Sequence, residues 1–382
     1  MANNRGIYIH IPFCVRKCKY CAFLSAPADA ETREIYVNSL VDEIKQCKVN
    51  FISSGPADTV YFGGGTPSVL TTEQIQRILD AVRKTYGIAD DAEITLEANP
   101  ATLGTDDEEV EKTLVELRNI GINRLSMGVQ SLHDDVLSFI GRIHSAEDVR
   151  RDYRIARKVG FNNINLDLIF SLPGAERAQH IDDLKKLIEM KPEHISCYSL
   201  QIEEDTEFMR MFDEGLIEEV PDEVDRETYH EICNILKAAG YEHYEISNFA
   251  LPGYHSRHNS SYWDMSEYIG LGLGASGFVG GVRYKNTDEL GEYISGNRLA
   301  EEHRNTQHDN ISEAVFTGLR RKEGIRYIVI LGSKAKFWEY YAAERDEAER
   351  FVSSGHLVID DDGIRITEKG IDISNKIMAV FV

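Results

Sequence analysis

The chain has 382 residues, 42% of them hydrophobic and 28% charged, with a formal net charge of −22. This is the composition of a globular protein of one to three domains, and its acidity argues against sequence-independent binding to nucleic-acid phosphates. It has no run of eighteen apolar residues, so no transmembrane helix is expected. The start "MANNRGIYIH" has no signal-peptide core, so the expected compartment is the reducing cytoplasm, where cysteines are more often metal ligands or catalytic groups than disulfides.

Six segments have the β-branched and apolar content of strands: "IYIHIPF" (7–13), "DTVYFG" (58–63), "EITLEA" (93–98), "RLSMGVQ" (124–130), "NINLDLIFSL" (163–172) and "HISCYSLQ" (194–201). Helical patterns separate them. "TTEQIQRILDAVRKTY" opens on an N-capping threonine, and a second helix runs from Ser145 to a terminating Gly160. Strands alternating with helices imply parallel pairing, and six such units make a partial barrel, two short of eight.

After residue 202 the alternation stops. One more helix and strand lead into "LPGYHSRHNSSYWDMSEYIGLGLGASGF", which reads as a long loop with a function. The C-terminal part reads as a helix over 309–321, a helix over about 333–353, a hairpin turning on Asp-Gly in "VIDDDGIRIT", and a last helix. That order is winged-helix-like. The expected division is a barrel over 1–245 and a C-terminal α+β domain over 246–382.

Three of the six cysteines, Cys14, Cys18 and Cys21, fall within eight positions just after the first strand. Thiolates are soft ligands for iron–sulfur clusters, zinc or copper(I). A structural zinc site needs four ligands, and the nearby His10 lies within a strand, so three thiolates leave one metal position open. The alternative is that the three share one apolar helix face, which Pro12, Lys17 and Lys19 argue against. The two lysines would also lower the thiol pKa values. Cys47, Cys197 and Cys233 are isolated and are expected in the core.

Cys-x3-Cys-x2-Cys after a first strand resembles the signature of the radical S-adenosylmethionine (radical SAM) family. The resemblance implies that the three thiolates hold a 4Fe–4S cluster whose fourth iron binds SAM, on a six-unit partial (β/α) barrel. Barrel enzymes carry reactive groups at the carboxyl ends of strands. "YFGGGTPS" ends strand two with Gly63, Gly64 and Gly65, and resembles the family's loop for the methionine end of SAM. Glu97 ends strand three, Gln130 ends strand four, Arg142 follows, and Asp167 lies in strand five. By resemblance Tyr8, Gly64, Gly65, Thr66, Glu97, Gln130, Arg142 and Asp167 form the SAM site.

The set "YIHIPFC", "YFGGGTPS", "LEANP", "RLSMGVQS", "GRIHSAEDV", "NLDLIFSLPG" and "HISCYSL" resembles the oxygen-independent coproporphyrinogen III oxidase family, across essentially the whole chain. The oxidase carries a further cysteine two positions after the third, where this chain has Phe23, and a longer N-terminal extension. Both departures argue against coproporphyrinogen decarboxylation. "HSRHNSSYWD" instead resembles the His-Asn-x-x-Tyr-Trp segment of HemW-type haem chaperones, which makes His258, Asn259, Tyr262 and Trp263 haem-site candidates. Histidine can ligate haem iron and aromatic rings can cover the macrocycle. His255 is a competing ligand, and a neutral-histidine ligand implies haem affinity that weakens in acid.

The function implied is delivery of haem, as cargo, to haem-requiring client proteins, with a reductant protein serving the cluster. SAM cleavage in the cycle, a homodimer, and peripheral membrane association through partners all stay open. The alternatives are the decarboxylase itself and another radical SAM tetrapyrrole-modifying enzyme.

Overall fold

The structure is a computed structural model describing residues 5–46 and 55–382; Cys47 lies outside them. The elements run β1 (Gly6–Ile11), α1 (Ala30–Gln46), β2 (Ala57–Gly64), α2 (Thr72–Thr85), β3 (Ile88–Ala98), α3 (Asp107–Asn119), β4 (Arg124–Gln130), α4 (Asp134–Phe139), α5 (Ala146–Val159), β5 (Ile164–Phe170), α6 (Arg177–Met190), β6 (His194–Ser199), α7 (Glu207–Asp213), α8 (Asp222–Ala238), β7 (Glu242–Glu245), β8 (Asn248–Ala250), α9 (Arg257–Trp263), β9 (Tyr268–Leu271), β10 (Ser276–Val279), β11 (Val282–Asn286), α10 (Leu290–Ser295) and β12 (Leu299–Arg304). Then come α11 (Gln307–Gly318), β13 (Ile325–Arg326), α12 (Tyr327–Ile330), α13 (Lys334–Tyr340), α14 (Arg345–Ser353), β14 (Leu357–Ile359), β15 (Gly363–Ile366) and α15 (Ser374–Met378).

β1 to β6 pair in chain order, all parallel, as the crossover helices require. Side chains alternate across each strand. Ile7, Ile9, Val60, Phe62, Leu96, Leu125, Met127, Leu166 and Leu168 are fully buried in one core with Leu40, Ile78, Leu79 and Leu114 of the outer helices. Their neighbours Tyr61, Glu97, Ser126, Asn165 and Asp167 turn to the opposite face and line a cavity. The caps expected from sequence are present. Thr71 and Gln74 form a reciprocal capping box on α2, as do Ser145 and Asp148 on α5, which ends at Gly160 with φ 98°.

The sheet does not end at β6. β8 and β7 continue it antiparallel beyond β6, and β9 joins the other edge parallel to β1, followed by antiparallel β10, β11 and β12. The stretch expected to be a loop therefore holds a helix and two strands. Its glycines mark close packing: a side chain on Gly270 would overlap the Ser276 backbone, and one on Gly277 would overlap the Tyr284 ring. Residue 245 falls at the turn of the β7–β8 hairpin, and one sheet runs on to both sides of it.

In the C-terminal segment the helix expected over about 333–353 is broken into α13 and α14, and β14 and β15 form the hairpin of a three-stranded sheet with β13. Among the described residues no helix is long and apolar enough to cross a membrane.

Candidate functional site

Pro12 lacks the N–H that would continue β1, and the chain leaves the sheet as the cysteine loop. Backbone bonds fix the loop: Cys14 N–H to Ala26 O (3.2 Å), Cys21 N–H to Cys18 O (3.2 Å), Lys19 N–H to Ile140 O (3.0 Å), and Phe208 N–H of α7 to Lys19 O (2.9 Å). Arg16 adds two bonds to Gly141 O at 3.2 and 3.0 Å. Cys14, Cys18 and Cys21 all line one cavity of about 450 Å³. Thr66 Oγ1 donates to Cys14 Sγ at 3.4 Å, and Arg142 Nη1 to Cys18 Sγ at 3.6 Å. The Cys21 thiol is pushed up by burial, which outweighs the pull of Lys17, so here the lysine effect expected from sequence does not win.

Gly64, Gly65, Thr66, Glu97, Gln130, Arg142 and Asp167 line the same cavity. Tyr8 does not. Its hydroxyl pairs with His10 Nδ1 at 3.0 Å and it lines a neighbouring cleft. The glycine loop is tightly fitted: Gly64 has φ 108° and a side chain there would overlap the His10 ring, while one on Gly65 would lie 2.6 Å from Phe13 O. The N–H groups of Gly64, Gly65 and Thr66 are spent on Glu97 Oε2 (3.2 Å), Ile11 O (2.9 Å) and Phe13 O (2.7 Å). What the loop can offer a ligand is therefore carbonyl oxygen, which suits an ammonium group, and of the three carbonyls Thr66 O already accepts from Val69 N–H at 3.0 Å.

Burial pushes the Glu97 carboxyl up to about 7 against the bond it accepts from Tyr61 Oη (2.7 Å), and nearby Asp167 adds to the rise. Burial raises Asp167 as well. Arg142 is held by Asn99 Oδ1 at 2.8 Å and Gly128 O at 2.5 Å, yet its buried Nε has no hydrogen-bond partner. A buried cation with a spare donor beside three thiols suits an anionic occupant.

Sequence reasoning missed Asn99, Tyr61 and Arg124. Asn99 receives Arg142 and pairs with His144 Nδ1 at 2.8 Å; its signal was its place two residues beyond Glu97. Arg124 is 1% exposed on the cavity wall, with Nε and Nη1 unpartnered. Its signal was a charge opening an apolar strand.

The residues of "HNSSYW" separate onto different surroundings. His258 is 1% exposed beneath the cavity, with Nδ1 2.8 Å from Thr59 Oγ1 and Nε2 2.7 Å from Tyr262 Oη. Burial, helped by Arg124, lowers its pKa to about 3. Asn259 lines the cysteine cavity, while Tyr262 and Trp263 line the neighbouring cleft. His255 lies outside both, 2.9 Å from Glu242. The cleft, about 780 Å³, is also lined by Phe23, Tyr268, Arg283 and Lys285, and it shares Lys17, Ala22 and Phe23 with the cavity.

A six-stranded parallel partial barrel with three thiols at the carboxyl ends of its strands defines a radical SAM protein, and residues 8–188 match the radical SAM superfamily. Residues 305–373 match the HemN C-terminal domain. The chain is 35% identical to the heme chaperone HemW of Lactococcus lactis, over 100% of this chain and 98% of that protein. It is 34% identical to the heme chaperone HemW of Bacillus subtilis, over 99% of each. The chain belongs to the HemW family. In fold it is similar to the solved coproporphyrinogen III oxidase HemN of Escherichia coli, a radical SAM enzyme, with a TM-score of 0.85 at 24% identity over 99% of this chain and 90% of that one. Radical SAM proteins carry a 4Fe–4S cluster and SAM, and the soft donor set here, with Arg142 and Thr66 directed at its sulfurs, fits such a cluster.

Proposed function

We propose that this protein is a cytoplasmic haem chaperone that takes up haem in the aromatic cleft beside the cysteine loop and passes it to haem-requiring client proteins. Cys14, Cys18 and Cys21 hold the 4Fe–4S cluster. Gly64, Gly65, Thr66, Glu97, Gln130, Arg142 and Asp167 bind SAM, with Tyr8 packed behind Tyr61 at 6.2 Å. When bound, the cluster supplies the electron that radical SAM chemistry requires, drawn from a reductant protein.

The observation that carries the reading is the makeup of the cleft. Phe23, Tyr262, Trp263 and Tyr268 offer aromatic surface to a flat macrocycle, and Lys17 offers a cation to its propionates, while Arg283 and Lys285 are paired with Glu313 and Asp288. Phe23 is 67% exposed and stands where the oxidase has its extra cysteine, so that position presents a ring to the cleft instead of a thiol.

Titration of anaerobically reconstituted protein with haem tests the proposal. A saturable Soret shift that falls in a Phe23→Ser, Trp263→Ala double variant is expected; a wild-type protein that binds no haem, or a double variant that binds it unchanged, refutes the assignment. Incubation with coproporphyrinogen III, SAM and reductant is expected to yield no protoporphyrinogen.

A further inference from the structure

We infer that Tyr262, not His258, provides the axial ligand to ferric haem in the cleft, and that His258 is a positioning residue behind it. The inference rests on the haem reading above. The two residues form one unit, because Tyr262 Oη lies 2.7 Å from His258 Nε2 and the imidazole is anchored on its other side by Thr59 Oγ1 at 2.8 Å. Only the tyrosine of the pair lines the cleft.

The histidine cannot reach an iron there without leaving its seat. It is 1% exposed, and its ring stacks at 5.0 Å on Tyr61 and 6.5 Å on Tyr8. Gly6 packs against it so closely that a Cβ would sit 3.3 Å from its Cε1. Glu93 also receives the Arg257 and His258 backbone N–H groups at 3.1 and 3.0 Å, which fixes the start of α9.

Among the cleft's other donors, His10, Lys285 and Tyr268 are engaged. His10 pairs with Tyr8 Oη and Leu24 O, each at 3.0 Å. Lys285 is bound to Asp288 at 2.7 Å. Tyr268 Oη accepts from Arg283 at 3.3 Å, and Arg283 is itself clamped on Glu313.

The proton balance is simple. In the tautomer with hydrogen on Nε2, Thr59 Oγ1 donates to Nδ1 and Nε2–H donates to Tyr262 Oη. The phenolic hydrogen is then not engaged by the histidine. When ferric haem binds, the phenol O–H bond breaks, an iron–oxygen bond forms, and the proton passes to water. No electron moves. The imidazole stays neutral and keeps donating to the phenolate oxygen, which narrows the range of directions the oxygen can present. Tyrosinate is a known class of haem ligand.

The test is titration of wild type and of Tyr262→Phe, His258→Ala and Tyr268→Phe variants with ferric haem, read by absorption and electron paramagnetic resonance. Wild type is expected to give a high-spin ferric complex with a phenolate-to-iron charge-transfer band. Tyr262→Phe, a mild change checked by circular dichroism, is expected to lose that band, and Tyr268→Phe to keep it. His258→Ala is expected to keep a shifted band with affinity lowered about 10-fold, as for loss of a partner behind a metal ligand. A low-spin histidine signature in wild type, or a band that survives in Tyr262→Phe, overturns the inference while leaving the haem reading intact. Absence of any haem complex in wild type overturns both.

Discussion

Arg142 Nη1 lies 3.6 Å from Cys18 Sγ, and its buried Nε has no partner. A fixed cation next to a cluster ligand stabilises the added electron, because hydrogen bonds to sulfur and local net charge set cluster potentials. In Arg142→Gln the cluster is expected to assemble with full iron and sulfide, but with a lower reduction potential. Potentiometric titration followed by electron paramagnetic resonance measures it. An unchanged potential counts against a role for this residue at the cluster.

Glu97 ties the proposed SAM site to pH. Burial raises its pKa to about 7, so the carboxyl is neutral below that value and ionised above it. A carboxylate binds a cationic or hydroxyl-bearing ligand better than the acid does, so SAM affinity is expected to rise as pH climbs through about 7. Calorimetric titration across that range checks it. Glu97→Gln is expected to bind weakly with the pH step gone; a step that persists in the variant assigns it to another group.

The barrel was legible because its signals are local. The six strands were apolar runs, Thr71 and Ser145 cap as expected, and the cysteine spacing pointed to one set of metal ligands, whose three thiols line one cavity. β9 and β10 were not legible. Gly270 and Gly277 take part in strand pairing, but their reason lies in Ser276 and Tyr284 across the ladder, which composition does not report. The third strand was read five residues late because Ile88 and Ala89 at its start are only half-buried and are followed by the exposed Asp90 and Asp91. Likewise "HNSSYW" looked like a single haem motif, whereas a seven-residue helix turns His258 inward and Tyr262 toward the cleft. Which face a helical residue presents depends on what the helix docks against, here Thr59 and Glu93.

Gly64 tests the glycine loop. Its φ of 108° disfavours any side chain, and a methyl would overlap the His10 ring. Gly64→Ala is expected to lower stability by about 1–3 kcal/mol, the cost of holding a non-glycine residue in such a conformation. It should also weaken SAM binding by shifting the loop, while Gly253→Ala, where the methyl meets open space, leaves binding unchanged. Urea unfolding and SAM titration read the two effects separately.

Glu43 joins the late strands to the barrel. It is buried and accepts from Tyr293 Oη at 2.6 Å, Asn286 Nδ2 at 2.7 Å and Gly272 N–H at 2.8 Å. Glu43→Ala strips acceptors from three buried donors, and stability is expected to fall by about 3 kcal/mol or more. Glu43→Gln, which keeps one carbonyl acceptor, should fall less. Hydrogen exchange should report the loss first in β9 to β11. A uniform loss over the whole chain counts against a local joint.

Buried histidines weaken the fold in acid. Burial is the leading cause that lowers His144 and His258 to about 3 and His180 and His243 to about 4, from an ordinary 6.5. A depressed folded-state value favours the neutral ring. The stability this provides is present above about 6.5 and is lost as pH falls toward the folded values, where unfolding takes up protons. The buried carboxyls of Glu97 and Asp167 oppose it, since protonation favours their place in the fold. His10 and His194 are lowered by burial in the same way, and Glu43, Asp152, Asp183 and Asp264 are raised by it, so the two sets oppose each other and the histidine part is read by removing one ring, each histidine contributing at most about 1.4 kcal/mol per pH unit below about pH 6.5. Both ring nitrogens of His180 are buried without hydrogen-bond partners, so His180→Leu should remove one proton from that slope with little loss of stability at neutral pH. A dependence of the urea midpoint on pH that is unchanged in His180→Leu rejects this account.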